Sequence, residues 1–147
     1  MNTYLPIIVE EYFETSLSKV WHAITDLKEM KQWYFEQITA FKAEKGFETA
    51  FEVHIEDRTF THLWTIQEVI PFQKIRYQWR YKEYTGDSQV VFELKEIDEK
   101  VLLIVTAEYI EDFPKNIPEF KRESGVQGWN YLIKESLKKH LEKVSNI

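Results

Sequence analysis

From Phe47 to Ala107, apolar and polar residues alternate almost without a break, and a period of two commits a chain to half-buried β-strands. The turn signals between the runs lie close enough together to set a register as well. A two-residue turn at Asp57-Arg58 predicts that Phe51 faces Trp64, Val53 faces His62 and Ile55 faces Phe60. A turn around Pro71-Phe72 sets Trp64 against Trp79, Ile66 against Tyr77 and His62 against Tyr81. A four-residue loop Tyr84–Asp87 sets Trp79 against Phe92 and Tyr77 against Leu94, and an Asp98-Glu99 turn sets Phe92 against Val105 and Leu94 against Leu103. All these residues fall on one face, and a one-residue slip at any turn would send a whole run to the other side. The opposite face carries Arg76, Gln78, Arg80, Lys82, Glu93 and Lys95, as a solvated antiparallel sheet does.

A sheet with one wet face needs a cover for the other. Ser124-Gly125-Val126-Gln127 has the form of a capping box, and behind it Trp129, Leu132, Ile133, Leu137, Leu141 and Val144 recur at helical spacing. About twenty residues of helix there span roughly 30 Å, the width of a curved sheet. Upstream, Tyr4 to Phe13 predicts a first strand with Ile7, Val9, Glu11 and Phe13 on one side. Ser16 caps a helix carrying Val20, Trp21 and Ile24, and Asp26 with Glu29 opens a second short helix ending near Trp33. Residues 112–123, with Phe113, Pro114, Pro118 and Phe120, are expected to form an irregular rim or lid. The expected architecture is α+β, a curved antiparallel sheet wrapped around a long C-terminal helix with two short helices after the first strand. One domain is expected to span residues 1–147.

Several function classes are disfavoured. With 19 basic against 25 acidic residues, the net charge is -6, and no Lys/Arg block forms a phosphate-tracking stripe, so neither nucleic acid nor an anionic membrane is an expected partner. The absence of cysteine removes disulfides, thiolate catalysis and Cys-based zinc sites. His22, His54, His62 and His140 have no metal-ligand spacing, and the four glycines form no phosphate loop; neither a metal nor a cofactor is expected. MNTYLPIIVEEYF lacks the pattern of a signal peptide, and no apolar run reaches membrane-spanning length, so a cytoplasmic protein is expected.

Residues 16–33, SLSKVWHAITDLKEMKQW, resemble the opening helix pair of the helix-grip, START-like (SRPBCC) superfamily, with Val20-Trp21 and Trp33 at its characteristic positions. Residues 68–79, EVIPFQKIRYQW, resemble its central Pro-containing hairpin, and Gly128-Trp129 with Leu132 resembles the start of its last helix. Together they resemble the branch named for the C-terminal domain of the activator of Hsp90 ATPase. That resemblance implies a sheet gripping the last helix around a hydrophobic cavity. The full co-chaperone also has a separate N-terminal domain outside these 147 residues, so ligand binding is expected ahead of Hsp90 activation.

The aromatic row Phe51, Trp64, Trp79 and Phe92, with Trp33 and Tyr77 beside it and Trp129 and Ile133 opposite, reads either as a cavity lining or as close-packed core. The aromatic share of 16% serves both readings. His62 and Tyr81, with Glu68 and Glu11 on the same face, could hydrogen-bond a ligand, act as acid and base in a cyclisation or dehydration, or sit solvated at strand ends. The expected function is binding of a small hydrophobic or aromatic molecule, lipid-like or polyketide-like, without covalent chemistry. The alternatives are a cyclase or dehydratase and a chaperone-binding module. A monomer or a weak dimer paired through an edge strand is expected.

Overall fold

The computed structural model describes residues 5–145, with side chains to residue 143. Strand β1 (Ile7–Phe13) is followed by helices α1 (Leu17–Thr25) and α2 (Leu27–Trp33). The meander β2 (Glu48–Ile55), β3 (Arg58–Ile70), β4 (Lys74–Tyr81), β5 (Asp87–Ile97) and β6 (Lys100–Glu111) comes next. A 3₁₀ turn (Pro118–Phe120) leads into a helix made of α3 (Arg122–Asn130), a π-helical stretch (Tyr131–Leu137) and α4 (Lys138–Ser145). The sheet is antiparallel and ordered β1-β6-β5-β4-β3-β2, so the first strand returns to pair with the last. The expected strand start at Tyr4 and the expected inward side chain of Val144 lie outside the described residues.

Both early caps form. Ser16 Oγ accepts from the Lys19 N–H, and the Asp26 carboxylate accepts from the Glu29 N–H, each at 3.2 Å. Ser124 does not cap the last helix: that helix starts at Arg122, and the Ser124 hydroxyl donates to the Pro118 carbonyl instead. The 3₁₀ turn headed by Pro118 precedes the helix, separated from it by Lys121 in extended conformation.

The pairs His62–Tyr81, Trp64–Trp79, Ile66–Tyr77, Phe92–Val105 and Leu94–Leu103 are those the turns predict. Two registers differ. Between β2 and β3 the turn is Glu56-Asp57, with Glu56 at φ 57°, so Phe51 faces His62 and Val53 faces Phe60. Between β4 and β5, Tyr77 faces Val90, Ile75 faces Phe92 and Trp79 faces Ser88. Ser88 Oγ donates to the Trp79 carbonyl at 2.6 Å and Gln78 Nε2 to Asp87 at 3.0 Å, which locks that register. Both shifts are by an even number of residues, so neither moves a side chain off its expected face.

A bulge changes faces where parity alone does not. Ile66 pairs with Tyr77 but Glu68 pairs with Arg76, leaving Gln67 as the extra residue. Glu68 therefore turns away from the inner face, contrary to expectation, and its carboxylate lies 3.1 Å from Lys74 Nζ.

The inner residues of the last helix are Trp129, Ile133, Leu137 and Leu141, all buried and each four positions after the one before. In a regular α-helix a four-residue step drifts by about 40°, because 3.6 residues make a turn. The wider π-helical stretch from Tyr131 to Leu137 absorbs that drift and keeps the row against the sheet. Lys134 and Lys138 reach over the free edge of β1. They donate to the Glu10 and Tyr12 carbonyls at 2.9 and 3.0 Å, while Glu11 Oε1 accepts the Tyr12 N–H at 3.0 Å. The outer edge of β1 is thus occupied by its own chain, which disfavours pairing there with a second copy. Among the described residues no helix is long and apolar enough to cross a membrane.

Candidate ligand-binding site

The sheet and the last helix close on each other at one end and diverge at the other. In the closed part Trp64, Tyr77, Phe92 and Ile133 are buried, with Phe51 and Trp33 beside them. Tyr34 joins them as a hub: it stacks on Trp33 at 4.6 Å and meets Trp64, Phe92 and Trp129 with ring centroids 5.4 to 6.1 Å apart. Its hydroxyl lies 2.8 Å from that of Tyr77, and burial pushes both phenols well above their ordinary pKa of 10.0.

Where the layers diverge, a cavity of about 440 Å³ remains. Strands β3 and β4 bring His62, Trp79 and Tyr81 to it, α3 brings Trp129, and residues 112–121 cross it as a strap carrying Phe113 and Phe120. The strap is held by rings: Phe113 stacks on Phe120 at 5.0 Å, and Tyr81 lies 5.3 and 5.1 Å from the two. Ile55 and Tyr131, the exposed large apolar residues of the lining, mark its rim.

Of the ten residues singled out from the sequence, His62, Trp79, Tyr81 and Trp129 line this cavity. Trp33, Phe51, Trp64, Tyr77, Phe92 and Ile133 belong to the packed core and do not line it. The glutamates proposed beside His62 are elsewhere: Glu68 is on the outer side of the bulge, and Glu11 lies 3.6 Å from Lys138 against the last helix. Phe35, Phe60 and Tyr109 line the cavity without having been singled out for it. Phe60 was legible, since it continues the inward row of β3; Phe35 follows α2 with no periodic pattern around it.

His62 supplies the most specific chemistry. Its Nδ1 lies 3.1 Å from the Phe60 carbonyl, which can only accept, so Nδ1 carries the proton and Nε2 is left with its lone pair. Burial lowers its pKa from 6.5 to about 4, against the Phe60 bond that favours the charged form, so the ring is neutral at physiological pH. The imidazole stacks on Phe51 at 4.7 Å and meets the Tyr81 ring edge-on at 4.9 Å. The Tyr81 hydroxyl accepts Trp79 Nε1–H at 2.8 Å and retains its own proton. No lysine or arginine lines the cavity among the described residues. A neutral acceptor, a phenolic hydroxyl and flat apolar walls can orient an uncharged ring-bearing molecule; they offer an anion no countercharge.

The family model described as "Activator of Hsp90 ATPase homolog 1-like protein" matches residues 14–142. No curated protein matches the sequence. Among solved structures, Mll3558 of Rhizobium loti is 16% identical, with a TM-score of 0.79 and coverage of 92% of this chain and 96% of that one. Aha1 of Colwellia psychrerythraea, solved as a dimer, is 15% identical, with a TM-score of 0.71 and coverage of 95% and 97%. DynU16, a protein of the dynemicin biosynthetic locus, is 21% identical, with a TM-score of 0.73 and coverage of 93% of this chain and 47% of that one. At such identities the likeness is one of fold, and function has to be argued from the site. The family match runs from the end of β1 into α4, over the same helix pair, meander and gripped helix that build the cavity, and the chain belongs to the Activator of Hsp90 ATPase homolog 1-like family of the START-like (SRPBCC) superfamily.

Proposed function

We propose that this domain binds a small, uncharged hydrophobic or aromatic molecule in the cavity between the meander and α3, without covalent chemistry. The observation that carries the reading is the cavity itself: about 440 Å³ of space, mostly apolar, with the neutral His62 imidazole in its wall. That volume falls in the range of small-molecule sites. The Rhizobium and Colwellia structures support the fold on which the reading rests, and the DynU16 locus makes polyketide-like aromatics a sensible first class to screen.

The experiment is a titration followed by tryptophan fluorescence, since Trp79 and Trp129 both border the cavity. Flavonoids, polyketide-like aromatics and lipids form the panel. Gly128 provides the control. It borders the cavity, and a Cβ built there meets nothing within 4 Å. Gly128→Leu should leave the fold intact, because leucine is a better helix former by roughly 0.7 kcal/mol, while it plugs the space. Saturable binding that the plug abolishes supports the reading. Absence of saturable binding across the panel, or binding indifferent to the plug, overturns it.

The cyclase or dehydratase reading loses its expected glutamates, and the carboxylates that do line the cavity are engaged. Glu119 is bonded to Arg58 and Glu108 accepts from Gln89 Nε2 at 3.3 Å. Binding without chemistry is therefore preferred.

A further inference from the structure

Where α1 meets α2, three side chains bring metal-ligating atoms together. His22 lies in the last turn of α1, Asp26 caps α2 and Glu29 lies in the first turn of α2; one donor atom from each falls within 4.8 Å of the other two. His22 Nε2 is 3.1 Å from Glu29 Oε2 and 3.9 Å from Asp26 Oδ2. A tetrahedral zinc ion, with bonds of about 2.1 Å, holds its ligand atoms about 3.4 Å apart. The His22–Glu29 separation is close to that spacing, and Asp26 Oδ2, which also accepts the Glu29 N–H of the α2 cap, lies 3.9 Å from His22 Nε2.

The other oxygen of Glu29 is held from beneath. His140, on α4 and only 6% exposed, places Nε2 2.8 Å from Glu29 Oε1. A buried imidazole thus fixes the carboxylate so that Oε2 faces His22, the kind of second-sphere contact that orients metal ligands. His22 is largely exposed, which gives an ion a path in from solvent.

We propose that His22, Asp26 and Glu29 form a site for a divalent transition-metal ion of the zinc class, with His140 as the positioning residue for Glu29. One imidazole and two carboxylates neutralise a 2+ ion and select against magnesium and calcium, which prefer all-oxygen surroundings. Three protein ligands leave a fourth position for water. The ion ties α1 to α2 and, through Glu29 and His140, to α4. His140 follows Trp129 by eleven positions, about 16 Å along the helix, so the site is separate from the ligand cavity.

The test uses the full chain, freed of metal with a chelator and titrated with zinc, cobalt(II), magnesium and calcium chlorides by calorimetry and thermal unfolding. One equivalent of zinc should bind saturably and raise Tm by about 4 °C or more at a hundredfold excess over Kd. Cobalt should give the visible absorption of a four-coordinate ion, and magnesium and calcium should do neither. His22→Ala and Asp26→Asn should each weaken zinc binding at least tenfold; asparagine keeps the α2 cap, so that variant separates ligation from folding. His140→Gln should weaken zinc roughly 10- to 100-fold while leaving the cobalt spectrum unchanged, as expected of a residue that does not touch the ion. His54→Ala, at a surface histidine beside Glu52, should change nothing. No saturable binding of zinc or cobalt, or binding undiminished by both His22→Ala and Asp26→Asn, overturns the proposal.

Discussion

Arg58 and Glu119, 61 positions apart, meet in a two-bond fork, Nε to Oε1 at 2.9 Å and Nη2 to Oε2 at 2.6 Å. The fork fastens the β2–β3 turn to the 3₁₀ turn of the strap, and its bonds hold the Glu119 carboxyl below the usual carboxylate range. The pair is open enough to water that it adds little to stability, but it is a polar tie on a wall held mainly by rings. Glu119→Gln should therefore lower Tm by only a few degrees while amide hydrogen exchange across residues 113–121 accelerates several-fold. Unchanged exchange in the strap would remove the fork from any role in holding the cavity closed.

Gly86 decides whether that wall can pack at all. Its φ is +125°, a region that L side chains rarely adopt, and a Cβ built there would fall 2.3 Å from Phe113 Cδ1. Gly86→Ala strains the backbone and expels the Phe113 ring from Phe120 and Tyr81, and should cost about 2–4 kcal/mol by chemical denaturation. Phe113→Ala in the same background should recover part of that loss, because it removes the group with which the new methyl collides. A double variant no more stable than Gly86→Ala would place the whole cost in the backbone.

The two hydroxyls of Tyr34 and Tyr77 are each other's partners in the core. Removing one leaves the other buried and unpaired, whereas removing both leaves an apolar contact of nearly the same shape. Tyr34→Phe and Tyr77→Phe should each destabilise by about 1–3 kcal/mol, and the double variant by clearly less than their sum. Additive losses would mean that the hydroxyls do not depend on each other.

What the sequence could reveal follows from how local each cause is. Asp98 and Glu99 both adopt positive φ, 49° and 67°, in a two-residue turn whose geometry is set by the turn itself, and the β5–β6 pairing came out as expected. The β4–β5 pairing did not, because Ser88 and Gln78 fix it through bonds across the ladder that no turn residue announces. Gln67 bulges with no glycine or proline to mark it, and that one residue moved Glu68 out of the candidate site. Apart from that bulge the inward face of the meander was legible, since a period of two survives any even shift. The division of that face into core and cavity was not. It depends on Tyr34 and Phe35, which follow α2 without periodicity: Tyr34 fills the space beside Trp64, while Phe35, 5.4 Å from Phe51 and 5.1 Å from His62, stands where the core becomes cavity wall.

His62 makes the cavity's chemistry measurable in the absence of any ligand. In the folded chain its pKa is about 4 because burial disfavours the charged ring; once unfolded it returns to its ordinary 6.5. Below pH 6.5 the unfolded chain therefore binds a proton that the folded chain refuses, and stability falls as pH drops towards 4. Integrated across that window the loss is at most about 3 kcal/mol; above pH 6.5 the group contributes no pH dependence. Glu119 acts in a lower window, since its depressed carboxyl loses its contribution only as pH falls through its own folded value, below 4.5. His62→Asn keeps a donor for the Phe60 carbonyl and removes the titration. The difference in unfolding free energy between wild type and variant should therefore slope between pH 6.5 and 4.5 and be level above pH 7. An NMR titration of the His62 ring should place its midpoint near 4. A midpoint near 6.5 with a level difference curve would mean that water reaches the ring freely, and the neutral acceptor assigned to this wall of the cavity would be lost.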